Sequence, residues 1–172
     1  AGGHLEVLRY LLGLDIQHAA GSIPAAVQDR LNAGRISGNY YPAFAAAAGG
    51  HIEVLQCLFA ADWFIGGRDI GAAAAAGHIQ TVQYLHDHCC RWSGATVTAA
   101  AKAGHLGMVR HLVENGCPRA SGAIDAAAAG GHLEVVKYLR AHGCPWGGNA
   151  RSAAAEAGHA EVLHWLRTHA HC

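Results

Sequence analysis

Fourteen histidines and six cysteines stand among 172 residues. Their first chemical meaning would be a metal site or a Cys-His nucleophile and base. The densest group is His86-Asp87-His88-Cys89-Cys90, echoed by His169-Ala170-His171-Cys172. A zinc ion needs four ligands about 2.0–2.3 Å away. Cys90, Cys117 and Cys144 recur every 27 residues, and equivalent positions on stacked helical units stand about 8–10 Å apart. Such a ladder cannot close on one ion. Surface histidines and core cysteines therefore explain these residues better than a metal site does, although the His86–Cys90 cluster keeps a metal-responsive module open as a rival reading. With so many of each type, some Cys-His proximity is expected by chance, which weakens the nucleophile reading. The glycines lack the strand and the Lys-Ser/Thr context of a phosphate loop. We expect no catalytic residues, no metal ligands, no cofactor or obligate small-molecule ligand, and no enzyme activity.

The elements that would position any such site follow from composition and periodicity. A chain that is 52% hydrophobic and 14% charged is too apolar to stay disordered. Twelve basic and twelve acidic residues cancel, so no net field draws the chain to nucleic acid or to an anionic membrane. No apolar run reaches the roughly 20 residues of a membrane span. The cysteines are too sparse for the disulfide framework of a small secreted domain, which points to a reducing, intracellular and cytoplasmic setting. The first residues carry neither an initiator Met nor a secretory pattern, and we expect a fragment of a longer array.

A Gly-His dipeptide opens at residues 3, 50, 77, 104, 131 and 158, giving intervals of 47, 27, 27, 27 and 27. A fixed period of this size marks stacked units that cannot bury their apolar faces alone. Before each dipeptide lies an Ala-rich segment, such as 72–76 or 126–129. Alanine favours helix, and its small side chain permits close helix approach. After each dipeptide runs an apolar stripe at helical spacing, such as Leu133, Val135, Val136 and Leu139, closed by Gly143. Each period thus predicts two antiparallel helices parted by a glycine turn.

The string from Gly131 through Val135, Val136, Tyr138 and Leu139 to Gly143-Cys144 resembles the second-helix signature of ankyrin repeats. In detail it is similar to the short repeats in ankyrin arrays of some algae, amoebae and large viruses. The resemblance implies an all-α, ankyrin-like solenoid of stacked antiparallel helix pairs. The usual period is about 33, and the six missing residues fall between one second helix and the next first helix. Short connectors such as Cys144-Pro145-Trp146 therefore replace the β-hairpin fingers, which are expected to be absent or much reduced. Cys117 and Cys144 are expected to be buried. We divide residues 1–172, read as one array, into a partial repeat at 1–13, an irregular segment at 14–39, and repeats at 40–66, 67–93, 94–120, 121–147 and 148–172. Ser22-Ile23-Pro24 could cap an inserted helix in that irregular segment, with Gly34 after its end, or the segment is a decayed repeat.

The resemblance also implies function: a protein–protein interaction scaffold that holds a protein or peptide partner on an extended surface. A further alternative is a targeting segment of a larger enzyme or of a ubiquitin-ligase adaptor. Within the two positions before each Gly-His, only Lys102 and Glu156 bring charge. Trp92, Arg119 and Trp146 share one connector position, and Trp and Arg dominate interface hot spots. The two Trp could instead pack between connectors in place of the missing fingers. These five residues are the candidate partner-binding set.

Overall fold

A computed structural model describes residues 42–60, 63–88 and 90–169. The partial repeat at 1–13, the segment at 14–39 and the tail at His171-Cys172 lie outside the described residues, as does Cys89.

Within the described residues the fold is all-helical, with ten α-helices and no strand. The helices alternate between a first and a second type. The first helices are α1 (Pro42–Ala48), α3 (Gly67–Ala75), α5 (Gly94–Lys102), α7 (Gly122–Ala129) and α9 (Ala150–Glu156). The second helices are α2 (Ile52–Ala60), α4 (Ile79–Asp87), α6 (Leu106–Glu114), α8 (Leu133–Ala141) and α10 (Ala160–His169). Each first helix packs on its own second helix and on the adjacent first helix or helices among the described residues. The fingerless connectors expected from the shortened period are seen among the described residues, since residues 117–120 form neither helix nor strand.

Both helix types end in the same way. Gly77, Gly104, Gly131 and Gly158 close first helices at φ between 77° and 79° or at 76° for Gly131, and Gly116 and Gly143 close second helices at 79° and 69°. This left-handed conformation is what glycine tolerates best. After α6, the Cys117 N–H reaches back to the Leu112 carbonyl at 2.9 Å and the Gly116 N–H to that of Val113 at 3.3 Å, the paired bonds of a Schellman ending. Cys144 repeats the first bond to Leu139 at 3.0 Å. That ending is usually sealed by an apolar contact from the residue after the glycine, which explains a buried cysteine there. Cys90, Cys117 and Cys144 are 3%, 4% and 1% exposed, and the thiols of Cys90 and Cys117 donate to the carbonyls of Ile65 and Ser93 at 3.3 Å.

The core is built from two rows. Ala73 and Ala74, Ala100 and Ala101, and Ala127 and Ala128 are all fully buried on successive first helices. Leu85, Leu112, Leu139 and Leu166 are fully buried on successive second helices. Side chains no larger than methyl on the first row let those helices approach closely, while the leucines supply apolar area.

Candidate interaction surface

The histidines are the chemically versatile residues, and the fold gives seven of the described ones a structural role. The ring Nε2 of His78 lies 3.1 Å from the Ala48 carbonyl, His105 3.0 Å from Ala75, His132 3.1 Å from Lys102 and His159 3.0 Å from Ala129. A carbonyl only accepts, so Nε2 carries the proton and donates in each case. Every bond runs back 30 residues, from one turn to the last carbonyl of the preceding first helix. The ring also covers the glycine of the preceding turn: a Cβ on Gly131 would lie 2.6 Å from His159 Nδ1. The Gly-His dipeptide is thus a joint between neighbouring helix pairs. His88, His142 and His169 place Nδ1 at 2.8–3.0 Å from the carbonyls of Tyr84, Tyr138 and Trp165, four residues back, and their rings lie against those same aromatics, stacked for His142 and His169 and tilted for His88. In α6 the equivalent position is Asn115, whose amide donates to the His111 carbonyl at 2.7 Å. These residues cap the C-termini of second helices, as their last-turn placement suggests. Among the described residues no three His, Cys, Asp or Glu side chains gather as a metal would require.

Trp92, Arg119 and Trp146 lie in connectors, at the end where first helices begin. Trp92 stacks on His86 with ring centroids 3.6 Å apart and meets His111 edge-on at 6.4 Å. Trp146 lies under the Arg140 guanidinium, 5.3 Å from the ring centroid. Both indoles pack against the core and stay partly exposed, so they serve the connector packing while offering one side to solvent. Arg119 is exposed. Lys102 and Glu156 are also exposed, but they end α5 and α9 at the opposite, turn-side edge. A nine-residue helix is about 13 Å long, so the five candidates divide into two edges and do not form one cluster.

One positioning device lies beyond easy sequence reading. Asp69 caps α3 by accepting the Gly66 N–H at 2.8 Å, and Thr96 caps α5 by accepting that of Ser93 at 3.2 Å. In α9 the equivalent residue is Ala150, and the cap comes instead from Asp125 on the preceding first helix, which accepts the Asn149 N–H at 3.3 Å. The Asp125 carboxylate rests on Gly147, where any Cβ would collide with it.

The cysteines give a chemical test of this packing. Burial pushes the Cys117 thiol from its ordinary 9.0 up to about 11. Burial also raises Cys144, partly opposed by the nearby Arg119 charge. Cys57 is exposed. Site-resolved alkylation at pH 8 should label Cys57 fully while Cys117 and Cys144 stay unmodified until the fold opens, because only the accessible thiolate reacts. The sign of the pH dependence follows. Below pH 9 both states hold the Cys117 proton. Between 9 and about 11 the unfolded chain releases it first, so stability should fall across that window.

No family model and no curated protein matches the chain. Among the described residues no helix is long and apolar enough to cross a membrane.

Proposed function

We propose that the chain is an ankyrin-type solenoid that binds a protein or peptide partner across several helix pairs at once. The observation that carries this reading is the repeated joint: identical Nε2–carbonyl bonds fix the spacing between pairs. Residues equivalent in sequence then stand in a regular row, a rigid surface that an extended partner can follow at little ordering cost. The connector row, with Trp92, Arg119 and Trp146, is the proposed main contact, and Lys102 with Glu156 on the far edge a lesser one. The engagement of seven of the described histidines in joints and caps favours this over the metal-responsive reading.

The test separates fold from binding. Partners recovered with the intact chain are titrated against Arg119→Ala and Trp146→Ala. Arg119→Ala should keep its melting temperature and lose about 2 kcal/mol of affinity, as truncated hot spots do. Trp146→Ala should lose both stability and affinity, because its ring also packs on the core. Full affinity in both variants would move the site away from the connectors.

A further inference from the structure

The chain is neutral overall, yet its charges are sorted along the helix axes. Among the described residues, four consecutive first helices each carry one arginine at their N-terminal end. Arg68 is the second residue of α3, Arg91 and Arg119 lie three residues ahead of α5 and α7, and Arg151 is the second residue of α9. All four are exposed. At Arg68 and Arg151, in the first turn of their helices, the positive end of the dipole favours acidic residues over cations, so helix formation does not itself account for these two. Arg68 lies over the Phe44 ring, 5.5 Å from its centroid, and the nearby carboxylates of Asp69 and Asp125 accept backbone N–H groups. Asp87 and Glu114 end second helices at this same edge, where Glu114 accepts from Tyr138 at 3.5 Å, but Arg140 and Arg167 stand in the last turns of α8 and α10 there too, so cations remain in excess. The turn-side edge has the opposite balance. Glu53, Glu134 and Glu161 begin second helices there and Glu156 ends α9. Against them stands Lys102 at that edge, while Arg110 and Lys137 lie mid-helix, Arg110 over the Tyr138 ring at 5.2 Å and Lys137 paired with Glu134 at 2.7 Å.

Apolar side chains interleave with the arginines. Phe64, in the connector before α3, is 91% exposed, and Trp92 and Trp146 show part of their rings. We infer that the connector edge takes an extended acidic peptide segment, with aromatic or aliphatic residues set between its carboxylates. Resting on the proposed scaffold function, this names its partner class. Stacked units stand about 10 Å apart, so the four arginines span roughly 30 Å, about ten residues of extended chain. A nucleic-acid strand fits less well. It carries a phosphate at every nucleotide, the edge offers one cation per unit, and the Trp92 face that a base would stack on is shared with His86.

The test is selection of random peptides of roughly a dozen residues, displayed against the whole chain, followed by titration of the enriched peptides and of an oligothymidylate of the same length. Enriched sequences should be acidic and contain aromatic or aliphatic residues. Their affinity should fall with added salt, and fall about tenfold or more in the double variant Arg91→Gln/Arg119→Gln. Arg110→Gln/Lys137→Gln, the same loss of two charges at mid-helix positions away from the connectors, should leave it unchanged. Enrichment of neutral or basic peptides, or equal binding by the double variant, would overturn the acidic-partner inference while leaving peptide binding intact. Enrichment of nothing would remove both. Tighter binding of the oligothymidylate than of any peptide would replace the inference with a nucleic-acid one.

Discussion

Leu139→Ala is expected to lower the unfolding free energy by about 2–5 kcal/mol, the cost of lost apolar transfer plus the cavity left behind. Leu139 is fully buried on α8 beside Val135 and Val136, and its carbonyl receives the Cys144 N–H that ends the helix. It holds the same place as Leu85, Leu112 and Leu166, all fully buried. A gap in one unit cannot be filled by its neighbours, because their own leucines occupy matching sites. Urea unfolding followed by circular dichroism measures the effect. A change below about 0.5 kcal/mol, the range of surface substitutions, would show that the leucine row does not carry the stack.

Gly131→Ala should be nearly as damaging, about 2–4 kcal/mol, for two separate reasons. The backbone at φ 76° is one that a residue with a Cβ adopts at a cost of about 1–3 kcal/mol. The added methyl would also stand 2.6 Å from His159 Nδ1, so that ring must move and its bond to the Ala129 carbonyl is lost, worth about 1 kcal/mol. Gly143→Ala shares the strained backbone, at φ 69°, but a Cβ there meets nothing within 4 Å. Comparing the melting of the two variants isolates the joint. Equal losses would mean that the histidine ring contributes nothing to the cost.

Much of the helical architecture was legible because both helix types are specified locally. Alanine runs, apolar stripes and glycine stops act within a few residues, and the shortened period located the loss of the fingers. The burial of Cys117 and Cys144 was readable for a similar reason, since an apolar residue after the stop glycine is part of the helix ending. The histidine joint was not. It links residues 30 positions apart, and that distance is set by how neighbouring pairs stack. The available signal was a histidine kept in every unit at an edge position where many polar residues would be tolerated. The Asp125 cap was hidden likewise: Ala150 lacks the acceptor that Asp69 and Thr96 supply, and only the stack brings a carboxylate from the preceding helix. The candidate interaction set was legible as residue types, but its division between two edges depends on helix direction. For the two Trp, packing and exposure coexist, so neither of the readings open from the sequence excludes the other.

Because each joint is the same, a unit carries both of its halves: the histidine that reaches its predecessor and the carbonyl that receives its successor. Excising 94–120 would therefore leave matching ends, with His132 arriving where His105 now stands, at the Ala75 carbonyl. Whole-period gain or loss would change the reach of the molecule without creating a new kind of seam, like a train whose carriages can be added or removed because the couplings match.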